Sequence, residues 1–461
     1  MDREKMIEEL TQIVGKENIL FTETDLFLYG YDASLVKAKP DCIVLPGSTE
    51  DVSRVVKFAH QNGIPVVPRG SGTNLSGGTV PYKGGIILHF SRMNRILEID
   101  TENQRAVVEP GLFTLALKTM LGRYGYIYQP DPASEKVSTF GGNFAENSGG
   151  PHCLKYGVTT NHVLGAEIVL YDGEVIQVGG KALDNPGYDL TGVLVGSEGT
   201  MGIATKLILR IMPKPEAVKT MLAIYNSLED AGRTVSAIIA DGILPATREI
   251  LDNNTIKAVE ASVKAGYPLD AAAVLLIELD GVKDGMERLA ERVMEICKKN
   301  GVHEVRAAKT EAERAQLWAG RRGAFGAVAR LRPNYLVCDG TVPRTKLPEV
   351  LGKVIEVGKK YKLDIANVFH AGDGNLHPLI LFDERNEDEL RRVHLAGTEI
   401  LRLCVDAGGT ISGEHGIGRE KMKEMHFIFN SGDIAAMKKV KKAFDPEDIL
   451  NPGKIFPEAQ A

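Results

Sequence analysis

Two histidines seven residues apart flank a run of small and polar residues in the stretch VFHAGDGNLHPLI, residues 368–380. The runs ANVF and HPLILF on either side are typical of β-strands, and a helix across the glycines would cost roughly 1 kcal/mol for each of them relative to alanine. We therefore predict a hairpin in which residues 372–375 form the turn and His370 faces His377. Cβ atoms of such a pair lie roughly 4.5–5.5 Å apart, so the two imidazoles can converge on one metal ion.

A second stretch, SGEHGIG at 412–418, supplies a carboxylate and another imidazole, Glu414 and His415. Adjacent side chains of an extended segment point to opposite sides, so one of the two can join the metal while the other faces a substrate. Two histidines and one glutamate with open positions suit Zn, Mn or Fe(II) as a catalytic ion. The alternative is an ordinary polar loop, in which Asp373 and Asn375 are turn formers.

Glycines form the next chemical signal, because the chain has 49 of them and they are clustered. The clusters are at 69–85, 141–150, 196–202, 372–374 and 408–418. Glycine accepts φ > 0 and lets backbone approach a ligand closely, so repeated glycine loops predict a large ligand held by main chain.

The glycine loop VVPRGSGTNLSGG, 66–78, is not a dinucleotide fingerprint, because Leu75 stands where the third glycine is required. It also lacks the Lys-Ser/Thr of a P-loop. Its backbone N–H groups and polar side chains can instead bind a pyrophosphate by many neutral hydrogen bonds. Those side chains are Ser71, Thr73, Asn74 and Ser76, beside Arg69.

The elements that must position these residues fall into two patterns. From 41 to about 215, short β-rich runs alternate with helices and glycine turns, and Pro213 and Pro215 mark a boundary. From 216 to about 410, longer strands alternate with helices, which predicts an antiparallel sheet with helices packed on one face. Helices are predicted over the N-terminal residues and near 50–62, 112–124, 228–240, 283–299, 311–330 and 346–360.

Bulk properties exclude several classes of protein. The net charge of −6 argues against a nucleic-acid surface. The five cysteines are far apart and form no CxxC, so neither a zinc knuckle, an iron–sulfur cluster nor a disulfide framework is indicated. The longest apolar run, AAAVLLIEL at 271–279, is too short to span a membrane. With no signal-peptide core at the N-terminus, we expect a cytoplasmic protein, at most peripheral to the membrane through partners.

Three segments together carry a family resemblance. Residues 66–78, DPASEKVSTFGGNFAENSGGPHCLKYG at 131–157 and GSEGTMGI at 196–203 resemble the FAD-binding domain of the vanillyl-alcohol oxidase (PCMH-type) superfamily. HAGDGNLH, SGEHGIGREK and FDPEDILNPGK extend the resemblance to FAD-linked 2-hydroxy-acid dehydrogenases of the glycolate oxidase D-subunit and D-lactate dehydrogenase type.

The resemblance implies an α+β fold with three parts. Residues 1–215 are expected to form a PCMH-type FAD-binding domain of two α+β subdomains, and 216–410 a cap domain with an antiparallel sheet covered by helices. Residues 411–461 are expected to return to the FAD domain and complete the active site.

The resemblance also assigns the cofactor. Members with covalent flavin often carry a histidine in the first loop; Thr73 and Asn74 stand here, so FAD is expected to be non-covalent. The residues expected to bind it are Arg69, Gly70, Ser71, Gly72, Thr73, Asn74, Ser76, Gly77, Pro132, Ser134, Ser138, Gly141, Gly142, Ala145, Asn147, Tyr156, Gly157, Glu198, Gly202, Ile203 and Asn451.

In the resembling family the metal ligands are two histidines and a glutamate, which correspond to His370, His377 and Glu414. His415 then corresponds to the general base that takes the proton of the substrate hydroxyl. The ion, Zn, Mn or Fe, polarises that hydroxyl as a Lewis acid.

Arg321 in LWAGRR corresponds to an arginine that binds the substrate carboxylate, with its neighbour Arg322 as the alternative. Relatives acting on 2-hydroxyglutarate have a threonine and a lysine where this chain has Phe325 and Val337. These apolar residues favour a small substrate, glycolate or D-lactate. The other histidines, His152, His162 and His394, are interpreted as structural or flavin-adjacent.

Electrons must leave the flavin, and the sequence contains no motif for a further carrier. The resemblance implies an iron–sulfur subunit with a second flavin subunit, or an electron-transferring flavoprotein, as the acceptor. The basic segment MKKVKKAF, 437–444, is interpreted as a solvated helix face. Two other functions stay open: an alkyl-dihydroxyacetone-phosphate synthase type of flavoprotein, and a non-catalytic flavin-binding subunit of a redox complex.

Overall fold

The computed structural model describes residues 2–182 and 186–458, which form two compact units. The first unit comprises the described residues up to Gly149, Gly157–Lys214, and those from Glu414 onward. The second unit comprises Gly150–Tyr156 and Pro215–Gly413. The short segment 150–156, within the range 1–215 assigned above to the FAD-binding domain, thus lies with the second unit.

Strands and helices alternate along both units. The strands are β1 Ile19–Leu20, β2 Cys42–Val44, β3 Val66–Arg69, β4 Ile86–His89, β5 Ile96–Asp100, β6 Arg105–Val108, β7 Tyr126–Ile127, β8 Val163–Val169, β9 Val175–Gly179, β10 Ile203–Arg210, β11 Met212–Pro213, β12 Ala217–Tyr225, β13 Thr247–Asp252, β14 Ala273–Gly281, β15 Val302–Ala307, β16 Asn334–Val337, β17 Gly340–Thr341, β18 Asp364–His370, β19 Asn375–Leu376 and β20 Pro378–Phe382. The helices are α1 Arg3–Val14, α2 Glu23–Leu28, α3 Thr49–Gln61, α4 Thr114–Gly122, α5 Phe140–Glu146, α6 Cys153–Tyr156, α7 Leu190–Leu194, α8 Leu228–Ala240, α9 Asn253–Ser262, α10 Met286–Lys299, α11 Glu311–Val328, α12 Leu347–Tyr361, α13 Glu387–Asp406 and α14 Ser431–Phe444.

The helices predicted from the sequence are confirmed to within a few residues, because their ends carry clear signals. Ser48 and Ser227 cap α3 and α8, each accepting a hydrogen bond from the backbone N–H three residues on. Over the described residues, no helix is both long enough and apolar enough to cross a bilayer.

The first unit contains two main sheets, each with its own core. In one, β2, β4 and β3 run parallel and β1 pairs antiparallel with β2. Helix α3 buries Val52, Val55, Val56 and Ala59, spaced i, i+3, i+4 and i+7, against this sheet. Each fully buried valine contributes roughly 1.5–3 kcal/mol relative to exposure. The other sheet is antiparallel, in the order β5-β6-β10-β8-β9.

The turn between β8 and β9 falls at Asp172-Gly173, as predicted, and Gly173 has φ +88°. The backbone N–H of Leu170 donates to the carbonyl of Glu174 across it. Residues of the two flanking strands then pair from Val169 with Val175 onward.

The second unit is built on a sheet with the order β15-β12-β14-β13-β18-β19-β17, and β20 joins it beside β18. The centre of this sheet is buried throughout. All six residues of β13 are buried, so both of its faces are covered, since successive side chains of a strand point to opposite faces. Buried strands of this kind position the polar residues described next.

Candidate active site

The first glycine loop begins where β3 ends. The Arg69 guanidinium donates to the carbonyl of Tyr31 at 2.8 Å and to Thr79 Oγ1 at 3.1 Å. A Cβ on Gly72, which has φ +71°, would lie 2.1 Å from Arg69 Nη2. Arg69 therefore packs behind the loop and braces it, and only glycine fits beside the guanidinium.

Asn74 fixes the second half of this loop. Its Oδ1 accepts the backbone N–H groups of Ser76 at 2.9 Å and Gly78 at 2.8 Å. Its Nδ2 is buried without a hydrogen-bond partner, and so is Oε2 of Glu146. Burial, together with the nearby Glu198 carboxyl, raises the pKa of Glu146 well above its usual value. Among the described residues, the amide N–H of Asn74 and one carboxyl oxygen of Glu146 on α5 are thus buried without partners, which fits a polar ligand such as FAD.

Glu198 and Asn451 connect the third glycine loop with the C-terminal segment. Glu198 has φ +53°, and its carboxylate accepts the backbone N–H groups of Ile417 at 2.7 Å and Gly418 at 2.8 Å. The Asn451 amide donates to the carbonyls of Gly78 at 2.8 Å and Glu198 at 2.7 Å. Three segments that are far apart in sequence therefore meet within the first unit.

The second glycine loop leads into α5 and lies against the first. Thr139 caps α5 through Gly142 N, and a Cβ on Gly70 would lie 2.2 Å from Thr139 Oγ1. Tyr156 lies in the second unit, where its hydroxyl donates to Asp280 at 2.6 Å. The other residues expected to bind FAD lie on or beside the three loops of the first unit: Ser71, Thr73, Gly77, Pro132, Ser134, Ser138, Gly141, Ala145, Asn147, Gly157, Gly202 and Ile203.

The predicted histidine hairpin exists, but its predicted register is wrong. His370 pairs with Asn375, and residues 371–374 form the turn. The second strand is interrupted at His377, between β19 and β20, so that residue is not directly opposite His370. The two rings nevertheless approach to 5.1 Å between centroids at 84°. The two imidazoles are therefore close to each other although their residues do not pair directly.

Glu249 organises the first histidine. It lies opposite His370 on β13, and its carboxylate oxygens are 2.9 Å from His370 Nδ1. Arg321 Nε donates to the same carboxylate at 2.6 Å. Burial by itself would raise the pKa of Glu249, but Arg321 and His370 hold it below its usual value. Nδ1 of His370 is thus engaged by a carboxylate, which orients the ring and leaves Nε2 for another partner.

Asp339 lies beside the second histidine. Its Oδ1 is 3.4 Å from His377 Nε2. Its Oδ2 accepts from Ser412 Oγ at 2.7 Å and from Gly413 N at 3.1 Å. One carboxylate therefore holds the residues that immediately precede Glu414 in the chain and lies close to His377.

These histidines fit a divalent ion by the chemistry of their partners. Metal-binding histidines typically have their second ring nitrogen bonded to a carboxylate, and His370 has that arrangement with Glu249. In the first unit, Glu414 Oε1 lies 3.6 Å from His415 Nε2. The assignment of His370, His377 and Glu414 as ligands, and of His415 as base, stays a prediction.

The two candidate arginines have different surroundings. Arg321 is only 2% exposed and bound to Glu249, whereas Arg322 is exposed and stacks on Trp318 at 5.3 Å from the ring centroid. Phe325, one turn further along α11, meets His377 edge-on at 5.9 Å. The apolar residue thought to limit substrate size therefore touches a predicted ligand.

Three further residues of these sites were not identified from the sequence: Glu249, Asp339 and Glu146. A signal did exist for Glu249, since an ionisable residue within a buried strand needs a partner.

His152 stacks on Trp318 at 5.8 Å with its Nε2 3.6 Å from Glu278, and His162 packs edge-on against Tyr128.

The chain matches two described protein families, "FAD binding domain" over residues 40–179 and "FAD linked oxidases, C-terminal domain" over residues 214–455. It is 45% identical over 458 residues to "Glycolate oxidase subunit GlcD" of Escherichia coli K12, covering 99% of this chain and 92% of that protein. The Bacillus subtilis protein of the same name is 47% identical over 451 residues, covering 97% and 96%. A "D-lactate dehydrogenase" of Archaeoglobus fulgidus is 34% identical, covering 97% and 98%.

Solved structures agree on the fold. p-Cresol methylhydroxylase with substrate bound superimposes with a TM-score of 0.82 at 20% identity, covering 98% of this chain and 96% of that one. Alkyldihydroxyacetonephosphate synthase gives 0.77 at 20% identity, covering 97% and 85%. The PCMH-type α+β fold predicted from the sequence is confirmed.

Proposed function

Because the chain belongs to the FAD-linked oxidase family and is an FAD-linked oxidoreductase, we propose that it oxidises a small 2-hydroxy acid, glycolate or D-lactate, to the 2-oxo acid. The observation that carries the proposal is the buried set Arg321, Glu249 and His370, with the ring of His377 beside it. It combines a group suited to a carboxylate with a pair of imidazoles suited to an ion.

Each residue then has a chemical role. Glu249 uses one carboxylate to orient Arg321 and His370, and the remaining guanidinium donors of Arg321 can bind the substrate carboxylate. His370, His377 and Glu414 would hold the ion, and His415 would accept the proton of the α-hydroxyl. When bound, FAD would supply the two-electron oxidant for the α-hydrogen, which leaves as hydride, and the divalent ion would supply Lewis acidity. Proton and hydride together account for the two hydrogens lost.

Two apolar side chains support a small substrate. Phe325 lies against the ring of His377, and Val337 on β16 is 7% exposed. A second carboxylate placed beside either would be buried without a partner, which costs several kcal/mol.

The decisive test is anaerobic reduction of the bound flavin, followed by loss of its oxidised absorbance band. Glycolate, D-lactate, L-lactate and D-2-hydroxyglutarate are added separately to the purified holoprotein, before and after a chelator. We expect rapid bleaching by glycolate or D-lactate, loss of that bleaching with chelator, and recovery on adding a divalent ion. No bleaching by any of the acids, with flavin and ion bound, would refute the proposal.

Neighbouring arginines give a matched pair of variants for this assay. Arg321→Gln should abolish bleaching, because it removes the guanidinium proposed to bind the substrate carboxylate and leaves Glu249 without its counter-charge. Arg322→Gln, one residue away and exposed, should bleach as the wild type does. Equal effects of the two changes would place the substrate carboxylate elsewhere.

We infer further that the flavin is non-covalent and that its electrons pass to a partner protein. Loop 66–78 contains neither histidine nor cysteine, and two of the relatives are named as subunits. The partner is an iron–sulfur subunit with a second flavin subunit, or an electron-transferring flavoprotein. Yellow colour left in the pellet after acid precipitation would contradict the first inference; fast reoxidation of the reduced flavin by O₂ alone would contradict the second.

The alternative function is a non-catalytic flavin-binding subunit of a redox complex. It predicts bound flavin that none of the four acids reduces, with or without a divalent ion. The same assay therefore separates the two functions.

A further inference from the structure

Arg248 is a fully buried cation with no hydrogen-bond partner among the residues that the structure describes. It is the second residue of β13, its side chain is 0% exposed, and Nε, Nη1 and Nη2 all lack an acceptor. A guanidinium has five donors and keeps its charge, so burying it without acceptors is strongly unfavourable. Arg248 has no role in the proposed chemistry. The neighbouring Glu249, which has one, projects to the opposite face of the strand.

Other buried charged groups of the second unit are matched. Arg321 donates to Glu249. Glu278 accepts from Arg314 and from Trp318. Asp252 accepts from Thr255 and Asn367. Against this background the unmatched Arg248 indicates an acceptor outside the described residues, and we take it to be a ligand.

The surroundings of Arg248 carry a further positive charge. Burial, and after it the charge of the half-buried Arg344, lower the pKa of Arg248 to about 9, although Asp373 and Glu249 act in the opposite direction. A Cβ on Gly372 would lie 3.2 Å from Arg248 Nη2 and 3.3 Å from Leu154 Cδ2. The guanidinium thus reaches the 371–374 turn at a residue that contributes no side chain.

We propose that Arg248, with Arg344 nearby, anchors an anion site that binds a carboxylate group on the face of β13 opposite Glu249. A carboxylate matches the planar guanidinium and can accept two of its hydrogen bonds. The group arrives on a free small acid, since the substrate proposed above has one carboxylate, bound at Arg321. The site is separate from the one proposed at Arg321, because Arg248 and Glu249 are adjacent on β13 and their side chains point to opposite faces of the strand.

The first test measures thermal unfolding of the holoprotein by the fluorescence of Trp318, the single tryptophan of the chain, which lies in the same unit. Sodium formate and acetate are titrated against sodium chloride of equal ionic strength. We expect the carboxylates to raise Tm saturably, by roughly 2–4 °C, in the wild type and in Arg385→Gln, which removes an exposed cation of the same unit. Arg248→Met should show no such rise.

The same experiment without added carboxylate separates a ligand site from an internal ion pair. Arg248→Met should then melt no lower than the wild type, because it removes a charge that has no partner. A lower Tm for Arg248→Met, or a wild type that responds equally to formate and chloride, would overturn the proposal.

The second test identifies the source of the carboxylate, and it rests on the proposed function. It compares kcat/KM for glycolate and for D-malate in the wild type and Arg248→Met. Unchanged values for both, with the Tm response retained by the wild type, support a site for a free acid; a 10-fold or greater loss for D-malate alone would make the site part of the substrate pocket and overturn its separation from Arg321. If no 2-hydroxy acid reduces the flavin, the proposed function fails while the Tm experiment still decides whether the anion site exists.

Discussion

The contact most open to experiment is the one between Glu249, Arg321 and His370, and the change that tests it is Glu249→Gln. Glutamine keeps the shape of the side chain but removes its charge, so the Arg321 guanidinium, 2% exposed, loses its counter-ion. Breaking a buried ion pair from one side costs about 3–5 kcal/mol. Losing the carboxylate behind a metal-binding histidine costs about 10–100-fold in metal affinity.

Two measurements check these magnitudes. Urea unfolding followed by Trp318 fluorescence reports on the second unit, because Trp318 is the single tryptophan and is 3% exposed there. Binding of Zn²⁺ or Mn²⁺ by calorimetry reports on the histidines. We expect Glu249→Gln to lower both the free energy of unfolding and the affinity for the ion. Glu304→Gln, which breaks the exposed pair with Arg306, should change neither.

The reasoning fails if Glu249→Gln unfolds at the same urea concentration as the wild type. It also fails if the variant unfolds earlier but binds the ion with unchanged affinity. The second outcome would restrict Glu249 to a structural role with Arg321.

Three further predictions use other parts of the chain. Gly374→Ala places a Cβ 2.0 Å from a backbone carbonyl oxygen at a residue with φ +84°. In urea unfolding it should destabilise the second unit by more than about 1 kcal/mol. Gly352→Ala, on a helix with open space around the new Cβ, should stabilise that unit slightly. Asn451→Ala leaves two buried carbonyls without their donor, costs about 1–3 kcal/mol, and should lower the flavin-to-protein ratio after gel filtration. Burial raises the pKa of Glu278, but its hydrogen bonds and its ion pair outweigh burial and hold that pKa below 4.5. The stability that the Glu278 carboxylate contributes is therefore complete above about that pH and is lost progressively as the pH falls below it. Between about pH 5 and 3, Glu278→Gln should lose less stability than the wild type.

Local signals in the sequence were sufficient for most elements. Ser227 and the apolar spacing after it predict α8, and Asp172-Gly173 predicts the turn between β8 and β9, because caps and turns are decided by a few adjacent residues. Such local signals did not predict the register of the histidine hairpin. The pairing of His370 with Asn375 and the break in the second strand at His377 appear only in the folded sheet.

By itself, the sequence determined the fold class, the glycine loops and the identity of the candidate ligands, because these depend on residue types and short spacings. Tertiary structure alone decided which groups meet. Glu249 is 121 residues from His370, and Glu198 is 220 residues from Gly418. Pairing of this kind depends on the order of strands in a sheet and on which face each side chain takes, and neither is encoded within a few neighbouring residues. Arg248 illustrates the difference, since only the packed structure shows that its charge has no partner.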